Sequence, residues 1–77
     1  MVRAFVMIKT GPGESEALLG DIQVLGSITE AHIVAGAYDI IAEVETDEVY
    51  EILETASTRI QEYSGVTDTK TYISLQE

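Results

Sequence analysis

The chain has no cysteine and no tryptophan, and its 77 residues include one proline and one histidine. Without cysteine, disulfides, thiolate metal sites and thiol nucleophiles are excluded. A domain of this size without such cross-links is only marginally stable alone, so we expect it to self-associate. No apolar run approaches the ~18 residues of a membrane span, and the first residues do not resemble a secretion signal. We therefore expect a soluble, cytoplasmic protein.

Basic residues are also scarce, with 4 Lys and Arg against 14 Asp and Glu and a net charge of −10. Direct binding to nucleic acid is disfavoured, because phosphate contacts need Lys and Arg. An acidic surface can attract a basic partner, or it can keep a protein hydrated in a salt-rich cytoplasm. The acids are spread along the chain, which favours the second explanation.

The pattern of apolar residues and turn residues predicts one domain over residues 1–77. Residues 2–9 alternate as in a strand, Gly11-Pro12-Gly13 marks a turn, and 14–25 have helical spacing. Two β-branched runs, 27–36 and 40–45, predict a hairpin. A second helix follows the candidate cap Thr46-Asp47 and continues to about Tyr63 before a final strand over 66–75.

This βαββαβ order predicts a ferredoxin-like α+β sandwich, in which two helices cover one face of a four-stranded antiparallel sheet. The first strand then lies antiparallel to the third. Lys9 should approach Asp39, and Arg3 should approach Glu43 or Glu45.

The other face of this sheet is predicted to be uncovered. It carries Phe5, Met7 and Ile41, which is more apolar surface than a small monomer leaves in water. We therefore predict a symmetric dimer in which two sheets pack face to face.

Few residues are suited to catalysis or metal binding. His32 is the only histidine, and a surface or interface histidine is the simpler interpretation. Four acids could bind a hard cation, but their spacing is more typical of a solvated helix face: Asp47, Glu48, Glu51 and Glu54. We expect no catalytic residues, no metal and no cofactor.

The segment Val34 to Ile41 is the most informative. Gly36 allows a positive φ and leaves N–H groups open to a carboxylate, while Asp39 could accept an ammonium group. An amino acid carries both groups. Alternatively, Gly36 only turns the chain and Asp39 only pairs with Lys9 or a nearby backbone N–H.

Three segments together resemble the effector-binding domain of the Lrp/AsnC transcription regulators, also called the regulation of amino-acid metabolism domain. They are the opening strand and turn Ala4–Gly13, the hairpin Val34–Ile40 with its Gly-x-Tyr-Asp motif, and the closing strand Gly65–Ile73. The resemblance covers nearly the whole chain. It implies the same ferredoxin-like fold, dimers that pair through their sheets, and octameric or decameric rings.

The resemblance also implies an amino-acid effector bound between dimers near the hairpin. Gly36, Tyr38 and Asp39 match the family's hairpin motif, and the backbone of Ala37 is expected to contribute. Regulators of this family carry a helix-turn-helix domain before this one, and we expect this chain to lack it. The chain therefore resembles the stand-alone form, and its acidity resembles that of proteins from salt-accumulating archaea.

Three functions remain open. The first is a non-enzymatic module that senses an amino acid and changes its assembly. The second is a structural partner that joins full-length Lrp/AsnC regulators without a ligand. The third is a small enzyme, which would be favoured only if His32 were buried in a cavity with an acid partner.

Overall fold

The computed structural model describes residues 1–76 and has the predicted order of elements. These are β1 (Val2–Thr10), α1 (Ser15–Gln23), β2 (Ile28–Ile33), β3 (Ile40–Thr46), α2 (Val49–Leu53, continued as a π-helix over Glu54–Ile60) and β4 (Val66–Ile73). The four strands form one antiparallel sheet in the order β2-β3-β1-β4. The ferredoxin-like α+β fold is therefore confirmed.

The core lies between the sheet and the two helices. On β1, alternate side chains are fully buried, because the pleat directs every second residue toward the helices. The buried apolar residues are Ala4, Val6, Ile8, Leu18, Ile22, Ala31, Ile40, Ala42, Val44, Ile52, Ala56 and Ile60.

The second helix begins at Val49, after the predicted cap Thr46-Asp47. Thr46 is the last residue of β3, and its hydroxyl donates to the Glu48 carbonyl at 2.7 Å. It therefore does not cap an amide of the helix, and the predicted Thr46-Asp47 cap is wrong. The Glu48 backbone remains extended, which carries the chain from the sheet to the helix axis.

This helix changes from α-helical to π-helical at Glu54. The buried hydroxyl of Thr55 donates to the carbonyl of Glu51 at 3.0 Å. Such side-chain bonds to the preceding turn compete with regular backbone bonds. No helix within residues 1–76 is long and apolar enough to cross a membrane.

Two glycines meet specific geometric demands near the start of α1. Gly13 has a φ of 75°, the left-handed conformation that glycine adopts without a steric cost. At Gly65, an added Cβ would lie 2.8 Å from Leu18 Cδ1, so a larger residue there would require the Leu18 side chain to shift. The Gly11 N–H donates to the Gly65 carbonyl at 3.0 Å, which joins the two turns.

Candidate functional site

The candidate site is the connection of residues 34–39 between β2 and β3. Its base is closed by the Val34 N–H, which donates to the Asp39 carbonyl at 2.9 Å. The Asp39 N–H donates in turn to the Ile8 carbonyl at 2.9 Å. The connection is thereby anchored to β1 as well as to its own two strands.

The Asp39 carboxylate binds the end of β1 through one oxygen. Its Oδ2 accepts from the Thr10 N–H at 2.8 Å and from the Thr10 hydroxyl at 3.3 Å. That hydroxyl also lies 2.9 Å from Ser15 Oγ, at the start of α1. Among the described residues no hydrogen bond reaches Asp39 Oδ1. One oxygen is therefore structural, and the other retains its lone pairs.

The predicted contact between Lys9 and Asp39 is wrong. Lys9 Nζ instead donates to the Ala37 carbonyl at 2.9 Å. Asp39 precedes the first residue of β3, so its side chain is not held to the open face by the pleat. It turns to the Thr10 amide, which follows a register shift between β1 and β4.

Sequence reasoning left open a nearby backbone N–H as the partner of Asp39, but it did not identify Thr10. In the antiparallel register Ile8 lies opposite Ile40. Extending that register by two residues brings Thr10 beside the connection, next to Asp39. The strand pairing therefore indicated this contact, but the donor first considered for Asp39 was the charged Lys9 side chain instead of the Thr10 amide.

The tip of the connection has a row of available backbone donors. Within residues 1–76 the N–H groups of Ala35, Gly36, Ala37 and Tyr38 donate no hydrogen bond. Ala35, Gly36 and Ala37 are exposed, and Tyr38 is half-buried with its hydroxyl 3.5 Å from Asp68 Oδ2. These N–H groups can donate hydrogen bonds to water or to the oxygens of a bound anion.

The expectation of a positive φ at Gly36 is wrong. Among the described residues only Gly13 has a positive φ. A connection of six residues turns gradually and does not need a left-handed residue. A Cβ at Gly36 would have no neighbour within 4 Å, so nothing inside this chain requires glycine there.

An open depression of about 440 Å³ lies beside the base of the connection. It is lined by Gly13, Ser15 and Glu16, at the start of α1, and by Ile33, the last residue of β2. Ser15 belongs to the hydrogen-bond chain that ends at Asp39. The depression is large enough for a small organic molecule.

The open face of the sheet has the composition predicted for it. Met7 lies opposite Ile41 on β3, and Phe5 lies opposite Tyr72 on β4. Phe5 is 37% exposed and Tyr72 is 57% exposed, while Met7 and Ile41 are half-buried. The predicted approach of Arg3 to Glu45 and Glu43 is confirmed, with ion pairs of 3.0 and 3.5 Å.

His32 lies on this face at the edge strand β2. Its Nε2 is 3.1 Å from Glu30 Oε1, and the two side chains are 66% and 63% exposed. An acid partner is present, but His32 is not buried in a cavity. Catalysis was to be favoured only if His32 were buried in a cavity with an acid partner, and the burial is not found.

The acids considered as cation ligands are all exposed: Asp47, Glu48, Glu51 and Glu54. In the described part of the chain, no three acidic or histidine side chains come together in a geometry suited to a metal ion.

Comparison with known proteins identifies the family. A family profile for the Lrp/AsnC ligand binding domain matches residues 3–77. The chain belongs to this family. It is a ligand-binding domain of the kind found in transcription regulators, as the resemblance of the three segments indicated.

One curated relative is the leucine-responsive regulatory protein of Haemophilus influenzae, which is 28% identical over 71 residues. The match covers 92% of this chain and 43% of the relative, so the chain spans less than half of that protein. Among solved structures, the TTHA0845 protein of Thermus thermophilus is 30% identical with a TM-score of 0.95. That match covers 100% of this chain and 96% of the other.

A third similar structure is that of a complex with an amino acid. It is the transcriptional regulator NMB0573 of Neisseria meningitidis, in complex with L-methionine. The TM-score is 0.85 at 12% identity, covering 99% of this chain and 51% of the other. This likeness establishes the shared fold.

Proposed function

We propose that this chain binds an amino acid, or a related small molecule with a carboxylate and an ammonium group, at the connection of residues 34–39. The observation that carries the proposal is the row of N–H groups from Ala35 to Tyr38, which donate no hydrogen bond within residues 1–76. Membership in a ligand-binding family supports it. The proposed contacts are Gly36, Ala37, Tyr38 and Asp39.

The two polar groups of an amino acid complement this connection. A carboxylate accepts strong, charge-assisted hydrogen bonds from backbone N–H groups. An ammonium group needs acceptors, and Asp39 Oδ1 has lone pairs that no described residue uses. The L-methionine complex of NMB0573 supports the same class of ligand.

Pairing of two sheets through Phe5, Met7 and Ile41 belongs to the same proposal. Three of the chain's 4 basic side chains lie on this face, namely Arg3, Lys9 and Lys70. They offset acids of the same face, so two such faces repel each other less than the chain's net charge suggests. The acids of the helices remain on the outside, where water solvates them.

Ligand binding is proposed to change how these dimers assemble into octameric or decameric rings. A ligand held between dimers stabilises that interface by mass action, because it binds the assembled state and not the separated one. The assembly in turn raises the affinity for the ligand by the same factor. Ligand binding and ring assembly are then thermodynamically coupled.

The proposed partners of these assemblies are full-length Lrp/AsnC regulators in the cytoplasm. With a net charge of −10, the chain is unsuited to bind DNA through its own surface. Its effect on transcription would therefore pass through a regulator that contacts DNA.

A thermal-shift screen against the standard amino acids in concentrated KCl tests the proposal. Saturating ligand at ~100 times Kd stabilises a protein by about 2.7 kcal/mol, which is a shift of several degrees for a domain of this size. Asp39→Asn should weaken binding about tenfold to a hundredfold, because it removes the charge that pairs with the ammonium group. Asn retains an acceptor for the Thr10 amide, which Ala would remove.

Asp21→Asn is the matched control, because it removes the same charge from an exposed position on α1. Binding should be unchanged in this variant. If no amino acid stabilises the folded, oligomeric wild type, ligand sensing is wrong. The structural assembly partner is then favoured, and the bonds from Thr10 to Asp39 already give that carboxylate a structural role.

A further inference from the structure

The row of free N–H groups has a counterpart on the opposite side of the connection. The Ala37 carbonyl accepts a hydrogen bond from Lys9 Nζ at 2.9 Å. The Ala37 carbonyl and the Tyr38 N–H belong to the same peptide unit. Within residues 1–76 no peptide bond is cis, so in this unit the two groups point in opposite directions. A bond that fixes the carbonyl therefore also fixes the direction of the N–H.

We infer that Lys9 is a positioning residue for the proposed ligand site: its ammonium group holds the Ala37–Tyr38 peptide so that the Tyr38 N–H faces a ligand carboxylate. This inference rests on the proposed function. Lys9 itself lies on the other side of the peptide and does not contact the ligand. Its role was not evident from the sequence, which suggested Asp39 as its partner.

The same bond also strengthens the donor. Hydrogen bonds in a chain polarise one another, so a cation on the carbonyl makes the N–H of that peptide a better donor. Asp68, opposite Lys9 on β4, lies 3.5 Å from the Tyr38 hydroxyl. Tyr38 is thereby held through its hydroxyl and, by way of Lys9, through its peptide.

Apart from the Lys9 contact, the backbone of the connection is hydrogen-bonded only at its base. Asp39 is bonded to Ile8 and Thr10 through its N–H and its carboxylate, and the Val34 N–H closes the loop. Among the described residues, the bond from Lys9 to the Ala37 carbonyl is the only hydrogen bond to a backbone group of residues 35–38. Removing the ammonium group should therefore free the tip without releasing the base.

The test compares Lys9→Met, Lys9→Arg and Lys70→Met. Lys70 lies on the same open face, opposite Met7, and its side chain makes no hydrogen bond or ion pair with the described residues. Lys70→Met thus makes the same change of charge and side chain without touching the connection. Lys9→Arg retains a cationic donor for the Ala37 carbonyl.

The first measurement needs no ligand. In ¹H–¹⁵N spectra of the deuterated, assembled protein, Lys9→Met should move the Tyr38 amide signal and lower the order parameters of residues 35–38. Lys70→Met should leave both unchanged, and Lys9→Arg should restore them. An unaltered Tyr38 signal in Lys9→Met would overturn the inference, whether or not the wild type binds an amino acid.

The second measurement is the affinity for the amino acid found in the thermal-shift screen. Lys9→Met should bind about threefold to tenfold more weakly, which is the range that one hydrogen bond contributes. Equal binding by the wild type and Lys9→Met would overturn the inference and leave the proposed function standing. If the wild type binds no amino acid, the proposed function fails, and the role of Lys9 in binding fails with it.

Discussion

The two faces of the sheet are built from alternate residues of the same strands, but they have different consequences for the protein. On β1, Val6 and Ile8 are fully buried under the helices, whereas Phe5 is 37% exposed and Met7 is half-buried on the opposite face. All four are apolar, so hydrophobicity alone does not distinguish them. Helices of the same chain cover one face, and no described residue covers the other. The first pair therefore stabilises the fold, and the second pair is available for association.

Truncating a side chain on the covered face should have the largest effect. Ile8→Ala should lower the free energy of unfolding by about 2–5 kcal/mol, because it removes buried methyl groups and leaves a cavity. Met7→Ala, on the neighbouring residue, should cost less. Urea unfolding in KCl at one fixed protein concentration measures both. Equal losses would mean that the two faces do not differ as described.

A charge on the open face should have the next largest effect. This effect should be on dimerisation and not on folding. Met7→Glu should weaken dimerisation about a hundredfold, because a two-fold axis brings two carboxylates into one apolar interface and like charges there cost several kcal/mol. Val24→Glu adds the same group at a residue of the helix layer that is 80% exposed, and should not change dimerisation. Sedimentation in high salt measures both. If Met7→Glu remains dimeric there, this face is not the interface.

Breaking the ion pairs at the edge of the open face should have the smallest effect. Arg3 lies 3.0 Å from Glu45 and 3.5 Å from Glu43, with its side chain 50% exposed. Arg3→Met should lower the free energy of unfolding by less than about 1 kcal/mol, and by less again in high salt. Arg59→Met, on the exposed surface of the second helix, is the matched control. A larger loss in concentrated KCl would show that these pairs contribute more than surface ion pairs usually do.

The strands were predictable because their evidence is local. Alternation along residues 2–9 identified the covered and open faces of β1, and the antiparallel pairing then brought Arg3 to Glu43 or Glu45. Each step depends only on the geometry of a pleated strand. The cap of the second helix was less predictable, because Thr46 resembles a cap in sequence but is the last residue of a strand.

The candidate site was predictable in position but not in its contacts. The Gly-x-Tyr-Asp motif located the connection. Side chains outside regular strands are not directed by a pleat. Asp39 therefore binds Thr10, and Lys9 binds the Ala37 carbonyl, because of where these donors and acceptors lie in three dimensions.

The sequence alone determined the order of elements, the covered and open faces of the sheet, and the family, because hydrophobic periodicity and short motifs depend on residues close together in the chain. Only the tertiary structure decided which oxygen of Asp39 is occupied and which N–H groups are free. It also decided that Lys9 holds the Ala37 carbonyl. These contacts join segments about thirty residues apart, and hydrogen bonds select partners by distance and angle, which are defined only after the sheet has formed.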